Sequence, residues 1–227
     1  MTPHNTSVIL VHGGDSSGKR EYLSPPLYSL NDLDKFSETQ DYCWNLYFKH
    51  EIKKYGFQSI YLRMPQSCDA IYREWEESFE YVLNQLTTLE LILVGHSLGG
   101  NFLQIFLARK TLRFHLAQLY FVAPCLSEGD FHYDPNWQNI TAQCSNIHVW
   151  HSKDDKVVPY EDGEFYRKNL GATMHTFTDR GHFTESIFPE LIYGILEKKY
   201  RITKNLSPPQ KKRPTSQHTQ IFNKRRV

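Results

Sequence analysis

Two kinds of apolar spacing alternate along most of this chain. Short runs rich in apolar and β-branched residues are typical of buried strands, and they lie at 7–11, 57–62, 91–94, 116–123, 147–151 and 173–178. Between these runs, apolar residues recur every three or four positions, which predicts helices at 42–55, 69–87, 101–110, 160–170 and 187–200. Strands that alternate with helices predict an α/β fold with a doubly wound, mostly parallel sheet and flanking helices.

Two long stretches show neither spacing. Residues 15–40 are polar and irregular, with a Pro25-Pro26 pair, and residues 125–143 contain Gly129 and Pro135. Both are predicted to be loops. Because only the second of them separates the strand at 116–123 from the next one, we expect no inserted helical cap domain over the carboxyl edge of the sheet.

The length and composition favour one globular domain. The chain has 227 residues, of which 40% are hydrophobic. No apolar run approaches the ~20 residues of a membrane span, and residues 1–7 lack the charged and apolar regions of a secretion signal. The four cysteines, at positions 43, 68, 125 and 144, form no Cys-x-x-Cys motif. We therefore expect reduced thiols, no membrane span and a cytoplasmic location.

The net charge of +1 conceals a basic end. Residues 203–227 contain seven Lys or Arg residues and no acidic one, with clusters at 211–213 and 224–226. We predict a folded domain at 1–202 and a disordered, solvating tail at 203–227. The tail charge also allows contact with an acidic partner or an import receptor, and the latter would make a nuclear location possible.

The most informative motif is Gly95-x-Ser97-x-Gly99, which lies between the apolar run at 91–94 and a predicted helix. In this setting a serine lies on a strained turn that presents its hydroxyl beyond the end of the strand. The flanking glycines allow the backbone to come close without steric clashes. The motif predicts that Ser97 is a nucleophile.

Acidic and imidazole groups follow two later strands. Asp154 and Asp155 come directly after the strand at 147–151, and His182 follows the strand at 173–178. The carboxyl ends of parallel strands meet at one edge of a sheet, where reactive groups collect. The chain order serine, aspartate, histidine is the order found in α/β-hydrolases.

On these motifs the chain resembles the α/β-hydrolase superfamily over roughly residues 6–200. The stretches around Asp155 and His182 resemble the small serine hydrolases related to retinoblastoma-binding protein 9 and YdeN. That resemblance implies His182 as the base and Asp155 as its partner, because the family places its acid four residues before a proline, here Pro159. His151 stands where the family often has glycine.

Two backbone N–H groups are expected to bind the developing oxyanion. Leu98, the residue after the nucleophile, is one of them. The resemblance implies Gly14, in the His12-Gly13-Gly14 turn after the first strand, as the other. Neither a metal nor an organic cofactor is expected, since the histidines lack a spacing typical of metal ligands.

These expectations combine into a serine hydrolase, carboxylesterase-like, that acts on small or medium acyl esters, or on thioesters or amides, through an acyl-enzyme. Tyr22, Tyr133 and Trp137 lie in the predicted loops, where they either line an acyl site or pack the loops down. One alternative is an interaction protein that keeps this fold without catalysis.

The other alternative is a nucleotide-binding protein. The stretch from Gly13 to Lys19 matches most of a phosphate-binding loop. Arg20, however, stands where that loop needs Ser or Thr, and Pro25-Pro26 interrupts the helix that should follow it.

Overall fold

The computed structural model describes residues 5–16 and 44–202, and within them strands and helices alternate as predicted. The strands are β1 (Thr6–Val11), β2 (Gln58–Leu62), β3 (Glu90–His96), β4 (His115–Val122), β5 (Ser127–Glu128), β6 (Phe131–His132), β7 (Ile147–Ser152) and β8 (Thr173–Phe177). The helices are α1 (Asn45–Lys54), α2 (Tyr72–Gln85), α3 (Leu98–Arg109), α4 (Trp137–Gln143), α5 (Tyr160–Leu170) and α6 (Pro189–Ile202).

Six of the strands form one sheet in the order β2-β1-β3-β4-β7-β8. Every neighbouring pair in this sheet is parallel. Parallel strands end at the same edge, so the turns after β1, β3, β7 and β8 gather on one side of the sheet. The observed architecture confirms the predicted doubly wound α/β fold with flanking helices.

Both faces of the sheet are buried, which explains the nearly continuous apolar strands. Side chains alternate between the faces of a strand. Val8 and Leu10 pack with α1 and α6 on one face. Ile9 and Val11 pack with α2, α3 and α5 on the other. The nearly continuous apolar sequence of each central strand is therefore explained by burial between two layers of helices.

The segment 125–143 corrects our loop prediction. It contains the antiparallel hairpin β5–β6 and the helix α4. Trp137 and Ile140, three positions apart, are buried, but a helix of seven residues is too short for that spacing to stand out. Side-chain amides hold the helix against the end of α3: Asn139 donates to the Leu107 carbonyl at 2.8 Å, and Gln143 donates to the Lys110 carbonyl at 3.0 Å.

Several predictions fall on residues outside the described part of the chain. These are most of the predicted loop at 15–40, including Tyr22, Gly18 and Lys19, and the whole basic tail. The helix α6 ends at Ile202, the predicted limit of the folded domain. No helix within 5–16 and 44–202 combines the length and apolar character needed to cross a bilayer.

Candidate active site

Ser97 lies in a tight turn between β3 and α3. Its backbone has φ 54° and ψ −122°, a conformation that residues other than glycine seldom adopt. The glycines on either side permit it: a methyl group at Gly95 would lie 2.6 Å from the Gly99 carbonyl oxygen, and one at Gly99 would overlap the Val11 and His12 carbonyls. The turn is therefore the strained strand-to-helix elbow that the motif predicted.

The backbone around Ser97 supplies groups that favour negative charge. Leu98 is the first residue of α3, where N–H groups lack an acceptor within the helix and the helix dipole is positive. The turn after β1 runs alongside, since a methyl group at Gly13 would lie 3.0 Å from Ser97 Cβ. Gly14 faces the Ser67 carbonyl and the Trp75 ring instead.

His12 fixes the shape of this turn. Its Nε2 accepts a hydrogen bond from the Met64 N–H at 2.8 Å, so the proton is on Nδ1, which donates to the Gly13 carbonyl. Through these two hydrogen bonds the imidazole links the ends of β1 and β2. Residues 12–16 contain no helix, and Gly18 and Lys19, where a phosphate-binding loop would open one, lie outside the described residues.

Asp155 and His182 meet at the carboxyl edge of the sheet. His182 Nδ1 lies 2.8 Å from Asp155 Oδ2, and the Asp155 side chain is completely buried. The other oxygen, Oδ1, accepts hydrogen bonds from the N–H groups of Val157 at 2.8 Å and Val158 at 3.0 Å. Burial raises the pKa of Asp155, but the hydrogen bonds from His182 and the two backbone groups outweigh it and hold the pKa below its usual value. The carboxylate is therefore ionised and fixed in orientation.

Asp154 has a different set of contacts from Asp155. Its Oδ1 accepts hydrogen bonds from the Ser152 hydroxyl and, at 3.0 Å, from the Gly181 N–H. The hydrogen bond from Ser152 is the main reason that the pKa of Asp154 is lowered. Because Gly181 precedes His182, Asp154 anchors the loop that carries the imidazole without touching the ring.

A second histidine joins the serine turn to the His182 loop. His96 is buried, and its Nε2–H donates to the His182 carbonyl at 2.9 Å, with the two rings 5.0 Å apart. Burial lowers the pKa of His96 to about 3, which keeps the ring neutral. This hydrogen bond links the turn that carries Ser97 to the loop that carries His182. Within the described residues, the Ser97 hydroxyl forms no hydrogen bond with His182. In serine hydrolysis such a contact often tightens only when substrate binds.

The remainder of the His182 loop is held by charge and by aromatic packing. Arg180 pairs with Glu185 at 2.7 Å and with Glu190 at 3.2 Å, and its guanidinium lies over the rings of Phe177 and Phe188. These contacts attach the loop to the end of β8 and the start of α6. The position of His182 is thus set by the fold on both sides of it.

The predicted substrate residues lie apart from this cluster. Tyr133 and Trp137 stack with ring centroids 6.0 Å apart, and Trp137, which is buried, packs against Phe165 and Tyr166 of α5. These contacts show that both rings pack against their neighbours, and the substrate role stays a prediction for them. Tyr22 lies outside the described residues. Within the described part of the chain, His, Cys, Asp and Glu side chains form no cluster of three or more suited to a metal ion.

No sequence pattern indicated the roles of His12 and His96, and His151 stood out only as a departure from a family pattern. Histidines are common in loops and at strand ends, and no spacing distinguishes a ring that braces the backbone from one on the surface. The position of His96 inside the serine motif is the one feature that could have suggested its role.

Comparison with known proteins identifies the family. A family model described as serine hydrolase matches residues 37–191, more than half of the chain. The chain belongs to the serine hydrolase family. Serine hydrolase RBBP9 of Rattus norvegicus is 30% identical over 146 residues, which are 60% of this chain and 75% of that protein. Putative hydrolase YdeN of Bacillus subtilis is 26% identical over 157 residues, 63% of this chain and 78% of that protein.

Solved structures show the same fold. The crystal structure of the B. subtilis ydeN gene product aligns with a TM-score of 0.66 and 20% identity, covering 86% of this chain and 99% of that one. A meta-cleavage product hydrolase from Pseudomonas fluorescens aligns with a TM-score of 0.54 and 13% identity, covering 89% of this chain and 93% of that one. The predicted resemblance to the α/β-hydrolase superfamily, and to its RBBP9 and YdeN relatives, is confirmed, and the family supports a hydrolase.

Proposed function

We propose that this hydrolase cleaves small or medium acyl esters through an acyl-enzyme on Ser97, with His182 as general base and Asp155 as its orienting partner. The observation that carries the proposal is the 2.8 Å contact between His182 Nδ1 and Asp155 Oδ2, beside the strained turn at Ser97. A serine, an imidazole and a buried carboxylate in this arrangement are the parts that acyl transfer requires.

The geometry supports a definite sequence of proton movements. Since Nδ1–H of His182 is committed to Asp155, Nε2 takes the proton from the Ser97 hydroxyl as Oγ attacks the acyl carbon. His182 then returns that proton to the departing alcohol. Water repeats the two steps and releases the acid. Asp155 remains ionised throughout and stabilises the imidazolium.

The negative charge of the tetrahedral intermediate requires two donors. The N–H of Leu98 is proposed as one of them, because it lies at the N-terminus of α3 directly after the nucleophile. The N–H of Gly14 is proposed as the other, on the strength of the family resemblance. Gly13 approaches Ser97 more closely, which makes the N–H of Gly13 the alternative donor from the same turn.

The substrate class is proposed from the small size of the segment that connects β4 to β7. Residues 123–146, between β4 and β7, contain the hairpin β5–β6, whose strands have two residues each, and the short helix α4. These elements pack on α3 and α5. This favours short acyl groups over long lipid chains. Thioesters and amides react by the same steps, so an ester panel of graded chain length is the first assay.

Fluorophosphonate labelling tests the proposal directly. We expect Ser97→Ala to abolish labelling and ester hydrolysis with an unchanged circular dichroism spectrum, because the hydroxyl proposed as the nucleophile is removed. Ser127→Ala is a matched control, since Ser127 also contacts a histidine, His132, on the exposed hairpin β5–β6. Persistent labelling of the Ser97 variant contradicts the proposal, and no labelling of the intact chain favours a non-catalytic interaction protein.

A further inference from the structure

Asp155 lies close to a histidine other than His182. His151, the second-last residue of β7, is completely buried. Its Nε2 lies 3.2 Å from the Val158 carbonyl oxygen and 3.5 Å from Asp155 Oδ2, the same carboxylate oxygen that contacts His182. The ring therefore faces both ends of the short turn that runs from Asp155 to Val158.

The surroundings of the ring determine its protonation. Two oxygen atoms face Nε2, so Nε2 carries the proton, while Nδ1 is buried without a hydrogen-bond partner among the described residues. Burial lowers the pKa of His151, although the nearby Asp155 and Asp162 act in the opposite direction. The ring is a neutral donor that also packs edge-on against Tyr160, with centroids 5.7 Å apart.

The fold leaves room for this imidazole at one specific place. Gly163, in the first turn of α5, lies directly against the ring, and a methyl group there would overlap His151 Nδ1. The ring thus fills the space between β7, α5 and the Asp155–Val158 turn. A glycine at this point of the helix is explained by the histidine that it accommodates.

We propose that His151 is a positioning residue of the hydrolytic site. It donates from Nε2 to the Val158 carbonyl and presents the same N–H to Asp155 Oδ2. The Val158 N–H in turn binds Asp155 Oδ1, so the histidine fixes the turn and the carboxylate together. His151 touches no reacting atom and acts through Asp155. The inference rests on the proposed roles of Ser97, His182 and Asp155.

A double-mutant cycle tests this dependence. In the otherwise unchanged protein we expect His151→Leu to lower kcat for a nitrophenyl ester about tenfold with KM unchanged, because a donor that serves a charged group is lost. In the Asp155→Asn background the same change should lower the rate less than twofold, since residues that act as a unit are not additive. His151→Gln, which keeps an N–H donor, should recover most of the loss.

Two further variants keep the test independent of folding. Gly163→Ala should reproduce the kcat loss by displacing the ring, without altering any group proposed to be catalytic. His148→Leu, the same substitution on the same strand, should leave kcat unchanged. If His151→Leu does not fold, Gly163→Ala and His151→Gln decide the question.

The possible failures are distinguishable from one another. A loss equal in both backgrounds, or no recovery in His151→Gln, shows that His151 only supports the fold and overturns the inference while leaving the proposed function intact. Unchanged kcat in both His151→Leu and Gly163→Ala also overturns it. Full activity in Ser97→Ala or Asp155→Asn overturns the proposed function itself.

Discussion

At the scale of single residues, four histidines converge near Ser97, and their hydrogen bonds assign them different tasks. His12 and His96 each give an N–H to a backbone carbonyl, and His151 gives one to Val158 while it faces Asp155. His182 gives Nδ1–H to a carboxylate, which leaves Nε2 for a hydroxyl. The proposed proton transfer therefore falls to His182, while the other three rings form hydrogen bonds with backbone carbonyls.

The two neighbouring aspartates provide the sharpest test at this scale. We expect Asp155→Asn to lower kcat by up to ~10⁴-fold, by analogy with the serine protease aspartate, because an amide stabilises neither the required tautomer nor the imidazolium. Asp154→Asn should cost about tenfold at most, since its side-chain oxygen still accepts from Gly181. Steady-state kinetics on one soluble ester compare the two. A larger loss in the Asp154 variant contradicts the assigned roles.

The residues proposed to react could be selected from the sequence, but the residues that contact and support them could not. Ser97 lies in a motif whose glycines are required by the local backbone, and Asp155 and His182 follow strands, so position along the chain was enough to select them. The task of a supporting histidine depends on which atoms face its two nitrogens. Those atoms, such as the Met64 N–H for His12, come from distant segments, and no local pattern encodes them.

At the scale of secondary structure, the long amphipathic and apolar elements were predictable and the short ones were not. A buried strand such as β3 and a helix such as α2 carry enough apolar positions to show a period. The hairpin β5–β6 has strands of two residues each, and α4 has seven residues in all. Their stability comes from tertiary contacts with α3 and α5, which a single segment does not reveal.

Two histidines that face each other across β7 and β8 predict that the free energy of unfolding depends on pH. His148 Nδ1 lies 3.0 Å from His175 Nε2 across the two strands, and burial lowers the pKa of both rings, that of His148 to about 4. In the unfolded chain these rings bind a proton below about pH 6.5. The contribution of these neutral rings to the free energy of unfolding is therefore fully present above that pH, and it is lost as the pH falls from about 6.5 towards 4. The buried His96 contributes in the same direction.

Urea unfolding at pH 7.5 and pH 5 measures this effect. Each fully buried ring contributes on the order of 1 kcal/mol per pH unit in this range, and half-buried rings contribute less. His148→Gln, which does not titrate, should flatten the dependence. An unfolding free energy that is equal at the two pH values, or larger at pH 5, contradicts the expectation that these rings are neutral in the folded state.

At the scale of the whole molecule, parallel strand order assembles the site. Ser97, Asp155 and His182 follow β3, β7 and β8, and the intervening β4 places the serine turn beside the other two loops. The Ser97 N–H donates to the Val122 carbonyl at the end of β4, and the Ala123 N–H donates to the Trp150 carbonyl of β7. The carboxyl edge is therefore a continuous hydrogen-bonded surface, and residues far apart in the chain meet there without a separate scaffold.

The distribution of charge over the whole chain gives the last prediction. Of the 26 Lys and Arg residues seven lie in 203–227, where none of the 25 Asp and Glu residues occurs, so residues 1–202 carry six more acidic than basic side chains. The positive groups after α6 are thus separate in sequence from every residue proposed to act in hydrolysis. We expect a chain ending at residue 202 to keep its turnover of a soluble ester.

Removal of residues 203–227 should affect binding to acidic surfaces, in contrast to turnover of the ester. If the basic clusters at 211–213 and 224–226 attach the protein to an acidic surface, the full chain should bind vesicles rich in anionic lipid or RNA, and that binding should weaken as salt rises because exposed charges are screened. The shortened chain should lose it. Replacing only the six Lys and Arg residues of the two clusters by glutamine separates the effect of charge from that of length. Loss of folding or of hydrolysis in the shortened chain would instead place the tail inside the domain and contradict the boundary at 202.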